Sequence, residues 1–140
     1  MDIDPRGPRF GAVITTIVLA VVLITSSAAL LGAQLVVFAI GALFGLRYAP
    51  YGIVYRRLVR PRLGPPARTE AEAPPRFSQG VGMVFAAGGV LGYALGASAV
   101  GITCTALALF AAFLNAAFDF CLGCQVYLFI HRNLKVRPSA

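Results

Sequence analysis

The residues Phe10–Leu46, FGAVITTIVLAVVLITSSAALLGAQLVVFAIGALFGL, form a run without a single charged side chain. As one helix this run would be about 55 Å long, nearly twice the roughly 30 Å hydrocarbon core of a bilayer. It must therefore fold back on itself. Thr25-Ser26-Ser27 marks the turn, because hydroxyl side chains hydrogen-bond the local backbone in non-helical conformations. The sequence predicts two membrane helices, near residues 10–25 and 28–46.

A second apolar stretch runs from Phe77 to Ile130 and is also too long for one membrane crossing. Gly96-Ala97-Ser98 is its predicted turn, which gives helices near residues 77–95 and 99–130. The last of these is longer than a bilayer needs, so it either tilts or emerges from the membrane. With the first hairpin, this stretch predicts an all-α fold, an integral membrane four-helix bundle that forms a single domain over residues 1–140.

The same tripeptide opens both hairpins, at Pro8-Arg9-Phe10 and at Pro75-Arg76-Phe77. Each tripeptide is followed by an apolar hairpin that ends at a basic segment. Because each unit crosses the membrane an even number of times, both would keep one orientation. This pattern favours a parallel duplication of a two-helix unit.

Composition supports a membrane protein, because only 12% of the 140 residues are charged and 59% are hydrophobic. A soluble domain would carry about a quarter charged residues. The net charge of +7 does not indicate nucleic-acid binding, because the basic residues flank the apolar runs. They fall in three groups: Arg6 and Arg9; the run from Arg47 to Arg76; and Arg132, Lys135 and Arg137. The positive-inside rule therefore predicts a multi-pass protein of the inner (cell) membrane with both termini and the loop 47–76 in the cytoplasm.

The predicted loop 47–76 divides into a basic part and a proline-rich part. Residues 51–60 mix apolar and basic side chains, which fits either a short helix along the lipid headgroups or a plain basic loop. In either form Arg56, Arg57 and Arg60 are candidates for binding a partner or anionic lipid. Residues 61–75 contain five prolines and are predicted to be an extended connector.

Small residues recur at four-residue spacing in three of the predicted helices. These positions are Gly41 and Gly45; Gly88, Gly92 and Gly96; and Ala108, Ala112 and Ala116. Such rows let helix backbones approach closely in lipid. They fit packing inside the bundle or a dimer interface, and the oligomeric state stays open.

The segment Asn115–Cys124 carries the candidate chemistry, because an ionisable group within a membrane segment is a functional-site hypothesis by default. Asn115 and Asp119 are four residues apart and share one helical face, next to the alanine row. We expect Asp119 to point into the bundle, with Asn115, Tyr93, Gln34 or an arginine as its partner. The pair would then bind substrate or a proton, or make only a structural hydrogen bond.

Cys121 and Cys124 are three residues apart and would be neighbours on a helix, close enough for a disulfide after modest adjustment. Gly123 between them is expected to loosen the helix. Redox or sulfur chemistry and a role as small buried apolar side chains both fit this pair. Cys104 would lie about 25 Å away along a straight helix and is not expected to pair with them.

The sequence predicts no metal site and no cofactor. Zinc needs four nitrogen or sulfur ligands, and the only histidine, His131, lies seven residues beyond Cys124. No Ser/His/Asp arrangement can be built with this one histidine, and no glycine-rich phosphate loop follows a strand. Hydrolases and nucleotide-dependent enzymes are therefore excluded.

The two Pro-Arg-Phe tripeptides, the segment Tyr48–Pro61 and the terminus Phe120-Cys-Leu-Gly-Cys124 together resemble a bacterial membrane family, domain of unknown function 4395. The resemblance covers nearly the whole chain, and the Phe-Cys-Leu-Gly-Cys pattern is its specific part. It implies a small four-helix integral membrane protein. Relatives are often encoded near thioredoxin-like and sulfurtransferase proteins, which implies thiol or sulfur chemistry at Cys121 and Cys124 with a partner of that kind.

Three functions remain open from the sequence. The leading hypothesis is thiol–disulfide or sulfane-sulfur exchange through a membrane-embedded Cys-x-x-Cys pair, with a thioredoxin-like or sulfurtransferase partner. The second is a transporter or channel for a small sulfur species. The third is a non-catalytic membrane scaffold whose basic loop recruits a partner or anionic lipid.

Overall fold

The computed structural model describes residues 2–66 and 69–136, and the predicted cytoplasmic C-terminus at 137–140 lies outside this part. The described chain is almost entirely helical, which confirms the predicted all-α class. Its α-helices are α1 (Arg6–Thr25), α2 (Ala28–Ala39), α3 (Pro50–Val54), α4 (Arg60–Leu63), α5 (Ala73–Ala94), α6 (Ser98–Phe118) and α7 (Leu122–Val136). Two-residue strands β1 (Asp2–Ile3) and β2 (Glu70–Ala71) pair antiparallel.

The first hairpin turns at two serines. Ser26 takes a left-handed conformation (φ 52°), and its N–H donates to the Val22 carbonyl at 2.7 Å, which closes α1. The side chain of Ser27 then accepts from the Leu30 N–H at 3.1 Å, as an N-cap residue does, and opens α2. The reversal is thus made by local hydroxyl and backbone hydrogen bonds.

The second apolar helix of this hairpin ends in a π-helical segment, whose turn is wider than that of an α-helix. After α2 the chain continues as a π-helix, Ile40–Phe44, and stops at Gly45, whose φ of 113° is open to glycine and strained for other residues. The Glu72 carboxylate accepts from the Leu46 N–H at 2.9 Å just beyond this stop. Apolar helix therefore extends over Ala28–Phe44, and a short 3-10 turn, Leu46–Tyr48, follows.

The predicted loop 47–76 is mostly helical. Between α3 and α4 lies a π-helix, Tyr55–Val59, so the basic part is helical and not a plain loop. Its position along the lipid headgroups stays a prediction. The expectation that residues 61–75 form an extended connector is wrong at both ends. Pro61 lies in the first turn of α4, and Pro74 and Pro75 lie in the first turn of α5, where a missing N–H costs no hydrogen bond.

The predicted single helix 99–130 is two helices, so the four-helix count does not describe this chain. The helix is interrupted between Phe118 and Leu122, where α6 ends and α7 begins. The interruption lies at Asp119, which has a left-handed backbone conformation. Hydropathy does not reveal such a conformation, so the end of the helix could not be predicted from it.

The long apolar helices pack around one small core. Helix α6 lies against α1 and α5, and α5 lies against α2. The fully buried core side chains include Leu19, Val22 and Leu31, while large apolar side chains such as Ile24 (83% exposed) and Leu95 (78% exposed) face outward. Helices α1, α5 and α6 are each long and apolar enough to cross a membrane, and Ala28–Phe44 is a shorter apolar helix. The outward apolar surface is the kind that a bilayer covers.

The arginines of the repeated tripeptide make equivalent contacts. Arg9, in the first turn of α1, donates to the Ala116 carbonyl in the last turn of α6 at 3.2 Å. Arg76, in the first turn of α5, donates to the carbonyls of Ala42 (2.8 Å) and Leu43 (3.0 Å) at the end of the second apolar helix. Each hairpin therefore caps the second helix of the other hairpin.

Glycines bring α5 into close contact with its neighbours. A Cβ atom on Gly92 would lie 2.5 Å from the backbone nitrogen of Gly101 in α6, and one on Gly82 would lie 2.7 Å from the ring of Phe38 in α2. Neither site leaves room for a methyl group. Both glycines pack inside the chain. Gly92 belongs to one of the predicted small-residue rows and fits the alternative of packing inside the bundle, whereas Gly82 lies outside those rows.

We expect Gly92→Ala to lower the free energy of unfolding by about 1–3 kcal/mol, because the added methyl forces two helix backbones apart. Gly32→Ala in α2 is the matched control, because nothing lies within 4 Å of a Cβ there. Titration of the detergent-solubilised protein with a denaturing detergent measures both. Equal stability of the two variants would contradict the close packing of α5 and α6.

Candidate functional site

The candidate site begins where α6 ends. Asp119 adopts a left-handed conformation (φ 55°), and its N–H donates to the Asn115 carbonyl at 3.1 Å. The Phe120 N–H donates to the Leu114 carbonyl at 3.2 Å. Aspartate is among the few non-glycine residues that adopt this conformation with ease, and these bonds satisfy carbonyls at the helix end. The chain can therefore stop α6 and start a new helix within three residues.

The two cysteines lie at the start of that new helix. Cys121 directly precedes α7 and its carbonyl accepts from the Gln125 N–H at 3.0 Å, while Cys124 lies in the first turn. They form a disulfide, with Cα atoms 5.1 Å apart. The Cys124 N–H also donates to the Cys121 sulfur at 3.1 Å. Both residues are half-buried, so the pair is neither enclosed nor fully open to the surroundings.

Gly123 holds α7 against α5. A Cβ atom on Gly123 would lie 2.5 Å from Oγ and 2.7 Å from Cα of Ser78. The expectation that Gly123 loosens a helix is therefore wrong, because its role is close approach and the break lies at Asp119. One turn away, the rings of Phe77 and Tyr127 are 5.6 Å apart and extend the same contact.

Asp119 does not point into the bundle, and that prediction is wrong. Its side chain is exposed, since the left-handed conformation turns the residue away from the face it would share with Asn115 on a continuous helix. Asn115 is half-buried, and its contact with Asp119 is through its backbone carbonyl. Of the expected partners, Gln34 is instead bonded to Tyr51 at 2.7 Å.

The site lies at the end of the bundle that carries the tripeptide arginines. Arg9 reaches Ala116 just before the break, and Ser78 follows Arg76 by two residues in α5. We call this end, with Arg9, Arg47 and Arg76, the basic end. The free thiol of Cys104 lies on α6 beside Gly88 and is not part of the disulfide.

A second feature of the basic end was not visible in the sequence. A cavity of about 590 Å³ lies between the start of α1 and the segment from Leu46 to Arg60. The three arginines predicted to bind a partner or lipid, Arg56, Arg57 and Arg60, all line it. The sequence signal was the basic cluster itself, but only the folding of this segment over α1 forms the cavity.

The N-terminal segment is anchored beside this cavity by Asp4. Its carboxylate accepts from the Tyr55 hydroxyl at 2.8 Å and pairs with Arg6 at 3.0 Å, and Arg6 also donates to the Gly64 carbonyl at 2.8 Å. Burial raises the pKa of Asp4, but the hydrogen bonds from Arg6 and Tyr55 and the charge of Arg6 outweigh it, so the pKa lies below its usual value.

Metal binding has no support in the described part of the chain. Among residues 2–66 and 69–136, no three side chains of the His, Cys, Asp and Glu types come together as a metal site. The sulfur atoms of Cys121 and Cys124 are also bonded to each other in the disulfide. The chemistry available at the break is therefore that of the cysteine pair.

A family model described as Domain of unknown function (DUF4395) matches residues 3–132. The chain belongs to the DUF4395 family. No curated protein and no solved structure matches the sequence.

Gly123→Ala tests how this DUF4395 protein holds its cysteine pair. We expect the methyl to push α7 off α5, because backbone atoms of Ser78 occupy the space, and to lower stability by about 1–3 kcal/mol. The Cys121–Cys124 disulfide should form less readily, as measured by mass spectrometry after alkylation. Gly80→Ala is the control, since its nearest contact would be an ordinary 3.9 Å to Ala42. If the Gly123→Ala variant forms the disulfide as readily as the wild-type protein does, the contact with Ser78 does not position the cysteine pair.

Acid should weaken the N-terminal anchor of the DUF4395 protein. Because the pKa of folded Asp4 is depressed, its stabilising contribution is present above the ordinary carboxyl pKa and is lost as pH falls through the lower, folded value. Asp4→Asn should be less stable than wild type at neutral pH and should lose this part of the acid dependence. Asp119→Asn, which alters an exposed carboxylate, is the control and should keep it. Thermal unfolding across pH measures all three proteins.

Proposed function

We propose that this protein carries out thiol–disulfide exchange at the membrane through Cys121 and Cys124. The observation that carries the proposal is their placement, as a disulfide-bonded Cys-x-x-Cys pair at the first turn of α7. Reactive pairs of this kind combine a helix N-terminus with partial exposure. Two buried structural cysteines would need neither feature.

In this proposal Cys121 is the attacking residue and Cys124 the resolving one. The Cys124 N–H that donates to the Cys121 sulfur, together with the positive end of the α7 dipole, would stabilise a thiolate at Cys121. Cys124, the third residue of α7, has no such donor among the described hydrogen bonds. The two sulfurs thus differ in the way that stepwise exchange requires.

The proposed reaction starts from the dithiol form. The Cys121 thiolate attacks a disulfide of the partner, which forms a mixed disulfide and releases one partner thiolate. Cys124, losing its proton, then attacks the Cys121 sulfur and releases the second partner thiolate. The partner gains two electrons and two protons, and the Cys121–Cys124 pair becomes the disulfide found in the structure. A thioredoxin-like or sulfurtransferase protein is the proposed partner.

The same pair would serve a sulfane-sulfur exchange. A partner persulfide transfers its terminal sulfur to the Cys121 thiolate, which leaves the partner as a thiol and Cys121 as a persulfide. Cys124 then attacks the inner sulfur, so hydrogen sulfide leaves and the disulfide forms. The transferred sulfur is reduced by two electrons and the cysteine pair is oxidised by two, so the step balances.

Asp119 and Asn115 have a proposed supporting role at this site. Asp119 is an exposed carboxylate two residues before Cys121, and we propose that it accepts or delivers the proton that exchange moves. Asn115 acts through its carbonyl, which holds the Asp119 N–H and so helps keep the chain reversed at this point.

We further propose that α1, Ala28–Phe44, α5 and α6 all cross the inner membrane, with the basic end in the cytoplasm. The positive-inside rule supports this orientation, because the arginines gather at one end of the helices and both turns at the other end are uncharged. Reporter fusions at Ser27 and Ala97 should then behave as exported, and a fusion at Gly64 as cytoplasmic. An exported signal from Gly64 would overturn the topology.

Cysteine trapping tests the exchange directly. We expect Cys124→Ser to accumulate a mixed disulfide with its partner, because the resolving thiol is gone, and Cys121→Ser to accumulate little. Cells are quenched with an alkylating reagent, and adducts are separated without reductant and identified by mass spectrometry. Cys104→Ser is the control and should resemble wild type, since its thiol lies outside the pair.

Two results would contradict the exchange mechanism. Equal adduct yields from the two single variants would remove the assigned roles of the cysteines. Free thiols at both positions after oxidation of the wild-type protein in membranes, with an unchanged phenotype of the double variant, would leave the cysteines as packing residues.

A transporter for a small sulfur species is the second candidate, and a separate observation favours it. Tyr51 at the cavity donates to Gln34 at 2.7 Å, and Gln34 approaches Thr15 at 3.5 Å. Gln34 is only 1% exposed, and polar groups this deep in apolar helices often mark pathways. Uptake of sulfide or thiosulfate into proteoliposomes that Gln34→Leu abolishes, and that the double cysteine variant keeps, would favour this candidate.

A further inference from the structure

The cavity at the basic end has an unusual balance of charge. Four arginines line it: Arg47, Arg56, Arg57 and Arg60. The two lining carboxylates are already engaged within the protein. Asp4 is paired with Arg6, and Glu72 accepts from the Leu46 N–H at 2.9 Å. Because four arginines line the cavity and only two carboxylates do, its walls carry a net positive charge.

The arginines differ in what they already bind. Arg56 donates to the Arg47 carbonyl, and the guanidinium of Arg47 lies 5.1 Å above the ring of Tyr48. The guanidinium groups of Arg57 and Arg60 have no hydrogen-bond or ion-pair partner among the described residues. Two guanidinium groups with free donors thus line one cavity.

Two of the three tyrosine hydroxyls at the cavity are already engaged within the protein. The Tyr51 proton is given to Gln34 and the Tyr55 proton to Asp4. The charged donors of the cavity are guanidinium N–H groups, whose planar fork matches the oxygens of phosphate and similar anions in pairs. A cationic ligand would be repelled by the four arginines.

We infer that this cavity binds an oxyanion of the phosphate or sulfate type, held by Arg57 and Arg60 with Arg47 and Arg56 beside them. The cavity volume of about 590 Å³ is ample for such a group. This binding site is separate from the cysteine pair and does not depend on the exchange reaction.

The oxyanion has two sources that share this chemistry. One is a free ion or small phosphorylated solute from the aqueous phase. The other is the headgroup of an anionic phospholipid, because Leu58 (64% exposed) and Leu63 (54% exposed) on the same segment present apolar surface to the surroundings. The cavity mouth therefore lies beside surface that lipid would cover.

Tyrosine fluorescence of the full-length protein offers a direct readout. The chain has no tryptophan and five tyrosines, and three of these, Tyr48, Tyr51 and Tyr55, line the cavity. The protein in phosphatidylcholine nanodiscs is titrated with sodium phosphate and with sodium sulfate, against sodium chloride at equal ionic strength. In a second arm, native mass spectrometry compares retention of phosphatidylglycerol with that of phosphatidylcholine.

The test variant is the double substitution Arg57→Gln, Arg60→Gln, and the matched control is Arg62→Gln. Arg62 lies on the same segment but does not line the cavity. We expect the double variant to bind at least about tenfold more weakly, since each lost charge-assisted hydrogen bond is a large fraction of the affinity for a small anion. The single variant Arg60→Gln should be intermediate, and melting temperatures check that each variant is folded.

Each outcome decides the inference. Saturable binding of phosphate or sulfate that the double variant loses supports a free oxyanion. Selective retention of phosphatidylglycerol that the double variant loses supports the lipid headgroup. Absence of both, or binding that Arg62→Gln weakens as much as the double variant does, overturns the site. Cysteine variants should bind as wild type does, so a failed exchange reaction would not affect this result.

Discussion

Arginine side chains that satisfy the carbonyls at the ends of apolar helices are the interactions on which this structure depends. The last carbonyls of a helix have no partner within the helix, and leaving them unpaired in an apolar environment costs several kcal/mol. Arg9 supplies the donor for α6, and Arg76 supplies it for the end of Ala28–Phe44. A hydrogen bond from a charged donor is worth about 1.5–3 kcal/mol. Each bond also ties the start of one hairpin to the end of the other, so the two hairpins stabilise one another.

The position of the cysteine pair follows from this capping. Because α6 is closed at Phe118 by Asp119 and by Arg9, the chain is free to begin α7 at once. Gly123 then lets the new helix contact Ser78 at backbone distance. The cysteines are thus set at a helix N-terminus, held on one side by α5 and open on the other. A continuous α6 would have placed the same residues along the middle of a helix, where no free N–H groups are available to their sulfurs.

Two polar features therefore share the basic end without sharing residues. The cysteine pair rests on α5 through Ser78, whereas the cavity is enclosed by the start of α1 and the short helices that follow Gly45. Both arise where apolar helices stop and backbone polar groups need new partners. Apolar surface dominates the rest of the long helices, so the chemically useful groups collect at this end.

The sequence alone determined the class of this protein, because hydropathy and charge are properties of each segment by itself. Two long uncharged or nearly uncharged runs require membrane-length helices, and serine-rich or glycine-containing breaks require turns. The sequence also singled out Cys121 and Cys124 and the arginine cluster, since residue type and spacing carry that information. The predictions for Asp119 and Gly123 were wrong, because the hydropathy of residues 99–130 is the same for one continuous helix and for two helices with a break between them. Only the tertiary structure decided where α6 ends and which way the Asp119 side chain points. It alone also showed that a side chain at Gly123 would collide with Ser78 and that the arginines line a cavity. Each of these depends on a contact between residues far apart in the chain, such as Arg9 with Ala116 or Ser78 with Gly123, and such contacts exist only after the helices pack.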